Sequence, residues 1–126
     1  MPLTVSVEEK GKGLFTLRPQ GSIDAITYSI LESKIDEIIQ KSPRLIIFDM
    51  KDVSYISSAG ITVFLLAETQ LNQTGGGAFM VHLQPQIKKV FDIVQALPSE
   101  RIFSSIEEMD NYLSEIQRKV KDGEIQ

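Results

Sequence analysis

The order of strand-like and helix-like segments predicts an α/β protein: one domain with a mixed β-sheet of four to five strands covered by about four α-helices. Three observations predict it. Two short segments with alternating apolar residues flank Gly11-Lys12-Gly13 at the start of the chain. Two nearly continuous apolar runs, Arg44–Met50 and Ala78–Leu83, have the composition of strands buried on both faces. Around these runs lie segments whose apolar residues recur at helical spacing.

The 126 residues make about one domain, and a domain of that size buries roughly two thirds of the surface its unfolded chain exposes. An apolar content of 42% and a charged content of 24% place the chain among ordinary globular proteins rather than disordered ones. The domain is expected over residues 1–120, with 121–126 a frayed tail.

Leu3, Val5 and Val7 alternate with Thr4, Ser6 and Glu8, the period of a half-buried strand. Gly11-Lys12-Gly13 then turns the chain into a hairpin partner, Leu14–Pro19, with Pro19 at the strand end and Gly21 closing the unit. After Asp24, residues Ile30, Leu31, Lys34, Ile35, Ile38 and Ile39 share one helical face, and Pro43 ends that helix. The buried strand Arg44–Met50 leads to a polar turn at 51–54 and then to Ser57-Ser58-Ala59-Gly60 and the apolar run Ile61–Leu71, a second helix. Three glycines, 75–77, stop it. The strand Ala78–Leu83 follows, and Pro85 opens a third helix that buries Ile87, Val90, Phe91, Val94 and Leu97 before Pro98. A short strand is expected at Arg101–Phe103. Ser105-Ile106-Glu107-Glu108 has the form of a capping box introducing a last helix with Ile106, Met109, Tyr112, Leu113 and Ile116 inward.

Several functions are disfavoured by what the chain contains. Thirteen basic against seventeen acidic residues leave a net charge of −4, without the basic stripe that nucleic acid requires. The basic cluster Arg118-Lys119-Val120-Lys121 complements the dipole at a helix C-terminus. No run reaches the ~18 apolar residues of a membrane helix, and the start lacks the features of a signal peptide. The absence of cysteine removes disulfides and thiolate chemistry, so a cytoplasmic protein is expected. The single histidine, His82, falls in a predicted central strand and is read as structural. Ser57–Gly60 is not the Gly-x-Ser-x-Gly elbow of strand-to-helix hydrolases. The triple glycine lacks the Lys-Ser/Thr of a phosphate loop, and no spacing resembles a metal site. No enzyme, cofactor or metal is expected.

What stands out is Ser58, at the N-cap or first turn of the second helix, where unpaired N–H groups and the positive end of the dipole face outward. Ser57 or Ser58 caps the helix, or Ser58 is phosphorylated, which would add about −1.5 to −2 charges there. Gly60 removes a side chain where another group approaches closely. The second helix is apolar on more than one face, so it is either buried nearly all round or uses a surplus face, carrying Ile61 and Phe64, to bind a partner.

Taken together, Gly21–Asp24, Leu45–Asp49, Asp52–Gly60, Gly76-Gly77 and Pro85 followed by Val90–Asp92 resemble the STAS domain of bacterial anti-sigma factor antagonists over nearly the whole chain. The resemblance implies a partner-switching cycle. The serine matching Ser58 is phosphorylated by an anti-sigma factor serine kinase, phosphorylation releases the antagonist from that kinase, and a phosphatase reverses the modification. It further implies that Asp24, Asp49, Ala59 and Gly60 lie near the phosphosite and that the protein works as a monomer. Asp24 read alone is equally a helix cap, and Asp49 a strand-end residue facing solvent. Ser57 departs from the family, which usually carries Asp there, and becomes a second candidate acceptor. The departure leaves a second expectation standing, a constitutive STAS scaffold or small-ligand-binding module that phosphorylation does not regulate.

Overall fold

The computed structural model describes residues 2–96 and 105–125. Two strands, β1 (Thr4–Glu9) and β2 (Leu14–Ile23), form the antiparallel hairpin, in register from Thr4 opposite Gln20 to Glu9 opposite Phe15. Gly11 and Gly13 in the connecting turn both have φ of 77°, the left-handed backbone that glycine adopts without strain. Three more strands lie parallel to β2 or to its neighbour: β3 (Leu45–Asp49), β4 (Val53–Ile56) and β5 (Gly77–Val81). The order is β1-β2-β3-β5, with β4 also pairing β2, so the sheet is mixed and five-stranded as expected.

β2 runs through Pro19 and Gly21 to Ile23, where the sequence suggested a strand ending near Pro19. The reason lies in its partners. β3 pairs with Leu14–Leu17 and β4 with Gly21–Ile23, so Pro19 falls in the gap between them, where its missing N–H leaves neither ladder short of a donor. The register shifts between Gly21 and Ser22, a bulge at which Gly21 has φ of 120°. β4 is the strand the sequence concealed: four residues at 53–56, read as turn and loop, are too short to show a period. The expected strand at Arg101–Phe103 lies outside the described residues.

Four helices cover the sheet: α1 (Tyr28–Ile39), α2 (Ser58–Gln73), α3 (Pro85–Ala96) and α4 (Ile106–Lys121). α1 buries Leu31, Ile35 and Ile38, while Ile30 is exposed. α2 ends in a Schellman motif: Gly76 N–H reaches Leu71 O at 2.8 Å, Gly75 N–H reaches Asn72 O at 3.2 Å, and Gly75 takes φ of 80°. A Cβ on Gly76 would meet Pro43 O at 2.8 Å, so the second glycine of the three is fixed by close approach. α3 buries Ile87 and Val90, with Phe91 and Val94 half-buried against the core; Leu97 and Pro98 lie outside the described residues. Phe48, Phe64 and Phe91 meet edge to face, with centroids 5.0 and 6.1 Å apart.

Ser105 caps α4 as its motif predicts, accepting from Glu108 N–H at 3.1 Å. Leu113 is buried, but Tyr112 sits at the rim, 42% exposed. Residues 121–124 continue and close the helix instead of fraying. α4 continues to Lys121 and closes in a second Schellman motif, with Gly123 at φ 77° and Glu124 N–H on Lys119 O at 2.8 Å. Arg118 holds this end through Asp122 and Glu124, at 3.0 and 2.9 Å.

The first turn of α2 lies against β2 and β4 with no room to spare. A Cβ on Gly60 would come within 2.6 Å of Ile23 Cγ2 and 2.8 Å of Ile56 Cγ1, both branched side chains fully buried in the core. Gly60→Ala is therefore expected to lower stability by about 1–3 kcal/mol through overpacking. A fall in the urea midpoint at unchanged slope would register it; a midpoint at or above the wild-type value would show that Ile23 and Ile56 have room to move.

Candidate functional site

The chain leaves β4 at Ser57, whose N–H donates to Ile23 O at 2.8 Å, and enters α2 at once. Ser57 has the extended backbone of an N-cap, φ −97° and ψ 176°, and its carbonyl accepts the first helical hydrogen bond from Ile61 at 3.0 Å. Yet its side chain does not cap. Ser57 is 3% exposed and its Oγ is buried without a hydrogen-bond partner. This overturns Ser57 as a second phosphate acceptor, because a hydroxyl sealed in the core is out of reach of a kinase.

Ser58 differs. It is half-buried in the first turn, and neither its hydroxyl nor that of Ser57 closes the helix end. The cap comes from across the fold: Asp110 of α4 accepts from Ser58 N–H through Oδ1 at 2.9 Å. A carboxylate there satisfies one of the orphan donors and lies at the positive end of the α2 dipole.

Two more groups on α4 hold the same junction. Tyr55 Oη and Ser114 Oγ are 2.6 Å apart. Gln117, 2% exposed, accepts from Ile56 N–H at 3.0 Å and donates to Ile56 O at 2.8 Å, and also to Leu113 O at 3.1 Å. Its amide thereby stands in for one rung of a neighbouring strand along β4. Asp110, Ser114 and Gln117 were not singled out from the sequence. Their i, i+4, i+7 spacing was the available signal, but a polar stripe beside an apolar one ordinarily marks a solvated face.

The other expected site residues divide. Ala59 is half-buried beside Ser58, and Gly60 is buried against Ile23 and Ile56, so the group that approaches Gly60 is the core itself. Ile61 and Phe64, proposed as partner-binding, are 2% and 3% exposed and belong to the core. The sequence could not rank faces on a helix apolar nearly all round. The apolar residues α2 leaves outside are Leu65 and Leu66, 47% and 53% exposed.

Asp24 follows Ile23, the residue that receives Ser57 N–H, so its loop adjoins the start of α2. Its Oδ1 accepts from the N–H groups of Ile26 and Thr27, both at 2.9 Å, which shapes the turn before α1. Burial alone would raise its pKa, but these bonds and that from the Thr27 hydroxyl outweigh it and lower the value.

Asp49 is a buried anchor at the end of β3, not a solvent-facing strand end, and none of its hydrogen bonds goes to Ser58. It lies 3.0 Å from His82 Nδ1, 3.3 Å from Lys51 N–H and 3.5 Å from Arg18 Nε. Burial pushes its pKa up, but the His82 and Lys51 hydrogen bonds and the nearby positive charge pull it down further, leaving it below its ordinary value. His82 is not inside the strand, which ends at Val81. It has φ of 60° and an exposed ring, so it turns the chain toward α3 while tying that turn to Asp49.

No group of three or more His, Cys, Asp or Glu side chains among the described residues is placed to hold a metal ion. No helix among them is long and apolar enough to cross a membrane. The site is a helix start that carries the half-buried Ser58, flanked by a carboxylate and followed by an exposed leucine pair.

The family profile of the STAS domain matches residues 5–109. The chain belongs to the STAS domain family. This STAS chain is 32% identical over 85 residues to the putative anti-sigma factor antagonist BtrV of Bordetella bronchiseptica, covering 68% of this chain and 73% of that one. It is 26% identical over 94 residues to the anti-sigma F factor antagonist of Paenibacillus polymyxa, covering 74% and 80%. In fold it is similar to the unphosphorylated form of the anti-sigma factor antagonist SpoIIAA, with a TM-score of 0.67 and 20% identity over 88% of this chain and 97% of that one. An anti-sigma factor antagonist from Mycobacterium paratuberculosis matches at 0.66 and 18%, over 89% and 94%.

Two outcomes follow for this STAS domain. Gln117→Leu strands the N–H and C=O of Ile56 in the core, and the expected loss is about 2–4 kcal/mol in denaturant unfolding; a loss below ~1 kcal/mol would mean that water replaces the rung. The second concerns acid. Asp49 has a lower pKa folded than unfolded, so its stabilisation is complete above the unfolded value and disappears as pH falls through the folded one. Stability should fall as pH drops from about 5 through the ordinary carboxylate range and below it, and Asp49→Asn, while less stable at neutral pH, should show a shallower drop. An identical pH slope in the two proteins would remove Asp49 from the account.

Proposed function

We propose that this STAS domain is an anti-sigma factor antagonist that acts by binding protein partners in a switching cycle, and that phosphorylation of Ser58 controls the binding. The observation that carries the reading is the contrast between two adjacent serines. Ser57 is sealed in the core, while Ser58 is half-buried at the start of a sixteen-residue helix. The names of the relatives, anti-sigma factor antagonists, support an anti-sigma factor as the client; that this anti-sigma factor is also the serine kinase is part of the proposal.

In this cycle Ser58 Oγ takes the γ-phosphoryl group of ATP, its proton passes to the kinase's base, and ADP leaves. A phosphatase returns serine and inorganic phosphate with the consumption of water. The added charge is at home at the helix start but hostile to an apolar docking surface. Leu65 and Leu66, on the same helix, supply such a surface. The domain works as a cytoplasmic monomer that exchanges partners one for one.

A second reading, a scaffold or small-ligand module indifferent to phosphorylation, is favoured by one feature. An apolar cavity of about 290 Å³, with Phe48, Phe64, Met80, Leu83 and Phe91 in its lining, lies between α2, β5 and α3. The two readings part at Ser58. With cognate kinase and ATP, mass spectrometry should find one phosphate on Ser58, none on Ser57 and none on the Ser58→Ala protein. Ser58→Asp should weaken kinase binding at least tenfold, or ~1.4 kcal/mol. An unmodified Ser58, with Ser58→Ala and Ser58→Asp binding alike, would establish the second reading instead.

A further inference from the structure

The start of α2 is satisfied by a carboxylate that belongs to another helix. Asp110 accepts from Ser58 N–H at 2.9 Å, Ser114 pairs with Tyr55 at 2.6 Å, and Gln117 engages both backbone groups of Ile56. Spaced i, i+4 and i+7, these three side chains form one stripe along α4. The stripe fastens α4 to the chain between Tyr55 and Ser58, where β4 becomes α2.

Asp110 occupies a place that suits any anion, because the orphan N–H groups and the positive end of the dipole converge there. A negative group carried by the Ser58 side chain would be drawn to the same place, and two anions within a few ångströms disfavour each other. Both residues are half-buried, so solvent only partly screens that repulsion. The other two contacts of the stripe, from Ser114 and Gln117, lie within two turns of Asp110 on the same helix.

We infer that Asp110 is a positioning residue of the Ser58 switch: a negative charge on Ser58 displaces the Asp110 carboxylate from the start of α2 and loosens α4 from the β4–α2 junction. The state of the serine is thereby expressed on α4 as well as at the serine itself. The inference rests on Ser58 being the modified residue, but its test needs no kinase.

Hydrogen exchange on the full chain compares wild type, Ser58→Asp, Asp110→Asn and the double variant. Ser58→Asp should speed exchange of the α4 amides about tenfold, equivalent to ~1.4 kcal/mol, with the β1–β2 hairpin unchanged. In Asp110→Asn the amide oxygen still accepts from Ser58 N–H but carries no charge, so adding Ser58→Asp should change α4 exchange by less than about twofold. The dipole alone predicts the opposite sign for Ser58→Asp, a tighter helix start.

Equal effects in the two backgrounds, no effect in either, or an acceleration shared by the hairpin would overturn the inference. Ser58→Asn, neutral and of the same shape, separates charge from bulk; if it loosens α4 as much as Ser58→Asp, the displacement is steric and the inference fails. Failure of the functional reading would appear elsewhere, as the absence of phosphate on Ser58 after incubation with kinase and ATP.

Discussion

The contact between α4 and the β4–α2 junction holds the functional end of this domain together. β4 is four residues long and pairs with only the last three residues of β2. A strand so short brings few hydrogen bonds of its own, and its remaining backbone must find partners from elsewhere or lose them to burial. Gln117 provides two of them, Ser114 steadies Tyr55, and Asp110 closes the helix that follows. Without α4 the strand, the turn and the first residues of α2 would keep β2 and the Gln86 side chain of α3, which donates to Ser54 O at 3.1 Å, as their hydrogen-bonded neighbours among the described residues. The half-buried Ser58 thus depends for its position on residues more than fifty places further along the chain.

That dependence explains which parts of the molecule could be read from the sequence. Hydrophobic patterning located α1, α2, α3 and α4 and the strands β1, β3 and β5; the helices and β3 bury apolar residues, whereas β1 and β5 are the two ends of the sheet order and keep theirs half-buried or exposed, Val7 at 41% and Phe79 at 63%. Turn chemistry located Gly11-Lys12-Gly13, the glycines after α2 and the Ser105 cap, since left-handed backbone and helix ends restrict residue choice. β4 escaped because four residues carry no period, and the continuation of β2 through Pro19 escaped because it depends on where two other strands stop. Gly123 carried the closing signal of α4, yet proximity to the chain end made fraying the simpler expectation.

The site was legible in outline and opaque in its connections. Ser58 at a helix start and Gly60 at a close approach both follow from local sequence. That Ser57 turns inward, that Ile61 and Phe64 belong to the core, and that Leu65 and Leu66 do not, follow from how α2 is rotated against the sheet. The family resemblance drew attention to position 57, where an acidic residue is usual and a serine stands here. A carboxylate nonetheless lies at the start of α2, delivered by Asp110 through tertiary structure rather than by the motif itself.

α2 is held at both ends by glycines pressed against other parts of the fold, Gly60 against Ile23 and Ile56, and Gly76 against the Pro43 carbonyl. Fifteen residues, 61–75, separate the two contacts, and the helical ones among them, 61–73, span about 20 Å, which makes the helix a strut wedged between two stops. It has no freedom to slide along its axis, and a one-residue change in its length would drive one glycine contact out of register. A disturbance at its first turn must therefore be relieved sideways, toward whichever neighbour is joined by polar side chains rather than by locked backbone.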